Sequence, residues 1–474
     1  MFATISFSYR LRQILLVLGD FASYYIGFII ALGLRIFSIP STDLIIQHLG
    51  PFTLVFCLWI VANYINGLYD LRLMALNGNT RRMIESAIVA VLIGMIFFYL
   101  ADTSDISPKT ILALTTVIGF GIAGIFRTLY LSYIGTHKLK TRILFLGVTE
   151  EIKELISILE SQPHLGYHVS AIVDPDHVFQ KTPHEEIELY HTINTLRPAI
   201  DTQHIHTVVV APHMNNQEEV KRELYELLFW QVNIIDMTSF YETVTGRIPP
   251  STFSESWFLS NLQTAEHPVY TKAKRGTDIL FGILFGLIFV ILFPILALMI
   301  KLSSPGPIFF KQQREGSDGN KMVGEGGKIF WMYKLRTMYA LAEDGSAETH
   351  GYEFAQKGDQ RITPIGKFLR KTRLDELPQA FNLLRGDVTL VGPRPERPEI
   401  VEELTRIMPY YPLRHIIKPG ITGWAAIHQH YTDNLESSLK KLQYDLYYIK
   451  NRSALLDISI ILRTINVVLR GMGQ

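Results

Sequence analysis

Cysteine is nearly absent: the 474-residue chain has one, Cys57, inside an apolar run. That excludes a disulfide framework and a cysteine-built zinc site. Charge is scarce too, at 19% of residues, and almost balanced at a net +1. No global field points to nucleic acid, so any basic function must be local. The N-terminus does not read as a secretory signal either. The first apolar run is too long, contains Asp20 and lacks a small-residue cleavage site.

What the chain has in quantity is apolar surface, with 48% hydrophobic residues and a mean hydropathy of +0.18. Four apolar runs come first: Leu11–Phe37, Leu49–Tyr69, Met83–Leu100 and Thr110–Tyr133. Each is near the roughly 20 residues that cross a bilayer as a helix. Arg10 and Arg12 precede the first run. Arg72, Arg81 and Arg82 lie between the second and third, and Lys138, Lys140 and Arg142 follow the fourth. The alternate connections hold almost no base: "SIPSTDLIIQH" has none, and Lys109 sits near Asp102 and Asp105. The positive-inside rule then places the N-terminus, and everything after Lys140, in the cytosol.

From Thr141 the pattern changes. "TRILFLG", "YHVSAIVD", "HTVVVAP" and "VNIID" read as short strands, separated by helical stretches such as "EEIKELISILESQ". Such alternation predicts a parallel, doubly wound, Rossmann-like sheet. The first strand ends at Gly147, where a dinucleotide-binding fold reads G-x-G-x-x-G. Here the chain reads "GVTEEI", without the two later glycines and with Glu150 and Glu151 where a pyrophosphate would sit. The expectation is a Rossmann-like scaffold without its cofactor. Tyr270 and Lys274 have the Tyr-x-x-x-Lys spacing of sugar-nucleotide dehydrogenases and epimerases, but lie outside the sheet, at a membrane entry. Histidines 204, 206 and 213 read as strand-end surface residues.

A fifth apolar run, Ile279–Ile300, has Lys272, Lys274 and Arg275 before it and Lys301, Lys311 and Arg314 after it. Both ends read as cytosolic. Pro294 inside the run removes a helix hydrogen bond, so a helix that enters, bends at Pro294 and returns to the same face is expected.

The stretch "KTRLDELPQAFNLLRGDVTLVGPRPE" carries the chemistry. Pro378 is tolerated only in a helix's first turn, which places Asp375 and Glu376 at a helix N-terminus, ionised at neutral pH. An ionised Asp can cap a helix, bind a metal or attack an electrophile. Lys367, Arg370, Lys371 and Arg373 come just before, and a rigid Pro-flanked turn presents Arg394. Arginine grips phosphate in a bidentate way. Carboxylates and arginines at a cytosolic membrane surface suggest phosphoryl chemistry with a divalent ion.

"PGPIFFKQQREG", "IFWMYKLRTM", "TPIGKFLRKTRLDELPQAFNLLRGDVTLVGPRP", "KPGITGWAAI" and "YDLYYIKN" resemble, in order, the bacterial sugar transferases, which are polyprenyl-phosphate phosphosugar transferases. The front part is similar to the large branch of that family. The resemblance implies a multi-domain membrane protein: a four-helix transmembrane bundle over 1–136, an α/β Rossmann-like cytosolic domain over 137–268, and an α-rich catalytic domain with a re-entrant membrane helix over 269–474. It implies transfer of hexose-1-phosphate from a UDP-sugar to undecaprenyl phosphate, with Mg²⁺ and release of UMP. Asp375 would be the nucleophile of a covalent phosphosugar intermediate. Glu376 would share the metal, Arg370 and Arg394 would neutralise phosphate oxygens, and Lys334 and Arg336 would flank the site. The product would initiate exopolysaccharide, capsule or O-antigen synthesis at the bacterial inner membrane, by a homodimer. Many members have Ser before the membrane proline; here Phe293 stands there. Two other classes compete: an oxidoreductase or epimerase on the middle domain, and a non-enzymatic membrane assembly protein.

Overall fold

The structure is a computed structural model. It describes residues 3–69, 79–100, 108–135, 140–182, 186–230, 232–262, 268–310, 321–340, 359–429 and 435–469. Arg72, Asp102, Asp105, Lys138, Lys311 and Arg314 lie outside the described residues. The chain divides into two compact units, 1–245 and 246–474.

The first unit opens with helices α1 (Ala3–Ile36), α2 (Thr42–Ile65), α3 (Asn79–Leu100) and α4 (Pro108–Gly135). All four are long and apolar enough to cross a membrane. Rings from three of them, Tyr24, Phe28, Phe52, Phe56, Trp59 and Phe120, share one core with Ala90 of α3. The indole of Trp59 donates to the Ala90 carbonyl at 2.8 Å. Where lipid removes the hydrophobic drive, helices associate through close packing of small residues. A Cβ on Gly27 would lie 2.7 Å from the Gly119 Cα, so α1 and α4 touch backbone to backbone. Nearby, the Arg127 guanidinium donates from Nε to Asp20 Oδ1 at 3.0 Å and from Nη1 to the Leu68 carbonyl at 2.7 Å. Tyr69 donates to Asp20 Oδ2 at 2.8 Å. Both charges are buried, at 1% exposure, and each is matched.

After these helices come β1 (Thr141–Leu146), α5 (Glu150–Ser161), β2 (Tyr167–Val173), β3 (Glu188–Tyr190), α6 (Leu196–Thr202), β4 (Thr207–Val210), α7 (Glu218–Leu227), β5 (Asn233–Asp236) and α8 (Met237–Thr245). The five strands form one parallel sheet in the order β3-β2-β1-β4-β5. This is the doubly wound order expected from the strand–helix alternation. Its strands β1, β2 and β4 are buried on both faces, which is why they read as continuous β-branched and apolar runs. Gly147 leaves β1 at φ +84°, and its open face is covered by Met214 and His213. Thr149 caps α5 by accepting from the Ile152 N–H at 3.3 Å.

The second unit contains α9 (Glu255–Asn261), α10 (Pro268–Ser303), β6 (Phe309–Phe310), β7 (Lys321–Val323), β8 (Ile329–Trp331), β9 (Lys334–Leu335), α11 (Pro364–Thr372), α12 (Ala380–Arg385), β10 (Thr389–Val391), α13 (Pro398–Ile407), β11 (Gly420–Thr422), α14 (Trp424–His428), α15 (Leu435–Asn451) and α16 (Ala454–Leu469). Segment 246–262, grouped with the sheet on sequence grounds, packs Ile248, Phe258 and Leu262 into this unit's core with Leu383, Val388 and Leu446. Helix α10 is continuous for 36 residues, with Pro294 inside it. Phe293 stacks on Phe309, 5.6 Å between centroids and 22° between planes.

Helix α10 is fastened to its unit at both ends. Lys274 donates to Asp457 at 2.6 Å and to the Tyr448 hydroxyl at 3.0 Å. Arg275 caps α12 through the carbonyls of Leu383 and Leu384. Asp278 accepts from Thr389 Oγ1 and from the Leu390 N–H. At the other end, Leu296 and Ile300 are buried in a cluster with Leu335 and Leu369. The Tyr270–Lys274 pair is therefore bound to Asp457 and is no part of the five-stranded sheet.

Removing one partner of a buried ion pair typically costs about 3–5 kcal/mol, because a charge is left unmatched. Arg127→Met should markedly lower the thermal unfolding midpoint in detergent. The double variant with Asp20→Asn should recover part of the loss.

Candidate functional site

The site is built on the chain reversal between α11 and α12. Thr363 caps α11 by accepting from the Gly366 N–H at 2.8 Å, and Pro364 occupies its first position. The helix ends at Arg373, which takes the left-handed conformation, φ +58° and ψ +17°. A 3₁₀ turn, Leu374–Gln379, follows and carries Asp375, Glu376 and Pro378. The carboxylates stand in the first turn of this 3₁₀ segment, but Pro378 lies past that turn rather than in it, and the α-helix begins only at Ala380. Neither of them caps the turn.

Asp375 is buried, at 7% exposure, and its Oδ1 has no hydrogen-bond partner. Burial, and then the charge of Glu376, push its pKa up to about 6; Lys334, Arg373 and Arg370 pull the other way. Burial would raise Glu376 as well, but Lys334, Arg394 and Arg373 overcome it and hold that carboxyl well below the usual range. The geometry explains this. Glu376 Oε1 meets Arg394 Nη2 at 3.1 Å, Lys334 Nζ at 3.4 Å and Arg373 Nη1 at 3.5 Å. Both carboxylates are thus mainly ionised at neutral pH. Arg370 lies near enough to lower Asp375, and its Nη1 is buried without a partner. Buried polar atoms without a protein partner call for one, and water or an ion can supply it.

Arg336 is not in this group. Its side chain is buried and donates to the carbonyls of Pro305 and Ser304, the residues that follow α10. It fastens the exit of that helix.

Arg394 is presented by a loop with little freedom. Strands β10 and β11 pair in parallel, Thr389 opposite Gly420 and Val391 opposite Thr422. A Cβ on Gly420 would lie 2.1 Å from the Gly392 nitrogen, and one on Gly423 2.1 Å from the Gly392 oxygen. Three glycines therefore let "VGPRP" and "KPGITG" approach backbone to backbone. Arg414, buried at 1%, donates to the Arg394 carbonyl at 2.9 Å and pairs with Asp445 at 2.7 Å. Lys441 pairs with Glu396. Sequence reasoning named Arg373 only as one of four basic neighbours and missed Arg414, Asp445 and Lys441.

Among the described residues no group of three or more His, Cys, Asp or Glu could hold a metal. A hard divalent ion would find Asp375 and Glu376, and take its remaining oxygens from water or phosphate. Mg²⁺ sites are commonly built that way, and the unpartnered Asp375 Oδ1 suits it.

Overpacking a filled site costs about 1–3 kcal/mol. Gly420→Ala should lower the thermal midpoint, while Gly276→Ala, in α10 with nothing within 4 Å, should leave it unchanged or raised.

Residues 269–471 match the family described as bacterial sugar transferase, and residues 64–237 match one described as CoA-binding domain. The chain is similar to the UDP-N-acetylgalactosamine-undecaprenyl-phosphate N-acetylgalactosaminephosphotransferase of Aeromonas hydrophila, 40% identical over 255 residues, 54% of this chain and 56% of that protein. It is similar to the UDP-glucose:undecaprenyl-phosphate glucose-1-phosphate transferase of Escherichia coli K12, 34% identical over 266 residues, 55% and 54% of the two chains. These alignments span about half the length of those relatives. The enzyme of that same name from Klebsiella pneumoniae is 31% identical over 380 residues, 78% of this chain and 74% of that one. That likeness extends over more residues than either compact unit contains, and the chain belongs to the bacterial sugar transferase family.

Proposed function

We propose that the protein transfers hexose-1-phosphate from a UDP-sugar to undecaprenyl phosphate and releases UMP. The observation that carries this reading is the buried, unpartnered Asp375 carboxylate beside a cradle of Lys334, Arg370, Arg373 and Arg394. An Asp oxygen attacks the sugar-bearing phosphorus in line. The bond from that phosphorus to the bridging oxygen breaks, and its electron pair leaves on UMP. An oxygen of undecaprenyl phosphate then attacks the same phosphorus, and the aspartyl carboxylate is restored. No net proton moves, and one pyrophosphate bond replaces another. Lys334, Arg370 and Arg394 neutralise the phosphate oxygens in both steps. Asp375 and Glu376 would hold Mg²⁺, which supplies further charge neutralisation when bound.

The setting is the bacterial inner membrane, with the site on the cytosolic face. Both ends of α10 are tied to the same unit, Lys274 to Asp457 and Ile300 beside Leu335, which favours a helix whose two ends stay on one side, although α10 runs through Pro294 as one continuous helix. The donor we propose is an unmodified hexose, glucose or galactose, feeding exopolysaccharide, capsule or O-antigen synthesis. The sheet domain would serve a homodimer.

UMP release from a panel of UDP-glucose, UDP-galactose and UDP-N-acetylgalactosamine, with undecaprenyl phosphate and with or without EDTA, tests the reaction and names the donor. Asp375→Asn should lower turnover at least about a thousandfold, as removing a covalent nucleophile does, with the unfolding midpoint retained. Full activity in that variant would refute the covalent route.

The raised Asp375 pKa gives a second expectation. The nucleophile must be ionised, so the UMP burst measured without lipid acceptor should decline as pH falls through about 6. Lys334→Met removes a charge that lowers this carboxyl, so the acid limb should move to higher pH.

A further inference from the structure

We infer that Arg373 is a third phosphate-gripping guanidinium of the site, aimed at the nucleotide-sugar diphosphate by its left-handed backbone. The inference rests on the transferase reading for the identity of the anion, but its geometry stands alone.

Among the described non-glycine residues four have positive φ, and Arg373 is the one in the second unit. It occupies the position just after a helix where glycine or asparagine is the low-strain choice. The backbone closes the turn: the Arg373 N–H donates to the Arg370 carbonyl, and the Glu376 N–H donates to the Arg373 carbonyl at 3.2 Å. Strain retained beside reactive groups points to function.

The side chain is where such a function needs it. Its Nη1 lies 3.5 Å from Glu376 Oε1, on the same oxygen that Arg394 and Lys334 approach. With 31% of its side chain exposed, it can meet an incoming ligand. Four cations, Lys334, Arg370, Arg373 and Arg394, act on two carboxylates. The positive surplus suits a ligand with two phosphate charges rather than one. Two planar forks, Arg373 and Arg394, converge on Glu376 Oε1, and a phosphate seated beside that carboxylate would accept from both in a fixed orientation. Glu376 then acts as the internal anion that keeps the forks in place before the ligand arrives.

The test uses the full chain in lipid nanodiscs with Asp375→Asn, so that no turnover occurs, and UDP with Mg²⁺ as the probe in calorimetry. Adding Arg373→Gly relieves the backbone and removes the fork. UDP should bind about 10- to 100-fold more weakly, the range for a charge-assisted hydrogen bond, while the unfolding midpoint holds or rises. Arg373→Lys should restore part of the affinity. With Asp375 intact, Arg373→Gly should raise KM for the UDP-sugar far more than it lowers kcat. Unchanged UDP affinity in Arg373→Gly would overturn the inference. So would a parent that does not bind UDP, or a fall in midpoint with no rescue by lysine. A chain that binds UDP through Arg373 yet releases no UMP would sink the transferase reading and leave this one standing.

Discussion

Two adjacent carboxylates on one buried turn repel each other, and the surrounding architecture keeps both ionised. Glu376 is the one that receives the cations: three of them converge on its Oε1. Asp375 receives less help and is left with an unpartnered oxygen. On the proposed mechanism the asymmetry would divide their labour. A carboxylate whose charge is already matched is a poor nucleophile and a good organiser. A carboxylate held near its ionisation threshold, unsolvated and unpaired, is suited to attack.

That division depends on cations arriving from distant parts of the chain at fixed positions. Lys334 comes from β9 and Arg373 from the end of α11, while Arg394 comes from the turn after β10. The last is the most constrained. Its strand is fixed from one side by Asp278 of α10 and from the other by Gly420 and Thr422 of β11. Its carbonyl is held by Arg414, itself locked to Asp445. A buried ion pair of this sort adds little net stability. Its use is to fix geometry, here the direction in which one guanidinium points.

The long apolar helices and the parallel sheet were legible in the sequence because each rests on local periodicity; the proline argument was looser, since Pro51 and Pro294 stand inside helices. Arg394 was legible because two prolines flank it. The family resemblance placed Lys334 and Arg336 together at the flank of the site. The strand ends at Leu335, however, and the Arg336 side chain goes to the carbonyls after α10. Arg373 sat in plain view among four basic residues; what singles it out is a positive φ that no pattern encodes for arginine. Arg414 and Asp445 are 31 residues apart and meet only through tertiary packing. The grouping of 246–262 with the sheet failed for a similar reason, because the apolar residues that assign it to a core are spaced like those of any short helix.

A lipid phosphate and a soluble nucleotide can share one nucleophile only if it lies at the boundary of their two phases. Helix α10 and the arginine that fastens its exit bear on this. At 36 residues and about 1.5 Å per residue the helix is roughly 54 Å long, well beyond the roughly 30 Å of a bilayer core. Its first turns are committed to polar partners, Lys274 to Asp457 and Asp278 to the β10 backbone. Its last turns are committed to the cluster of Leu335 and Leu369, which also takes in Leu374 and Leu377 on either side of the Asp-Glu pair. The membrane segment and the reactive turn thus share one core. On the proposed membrane placement, a shift of the helix along the membrane normal would move Leu374 and Leu377 with it, and the depth of α10 would set the height of Asp375 relative to the lipid surface.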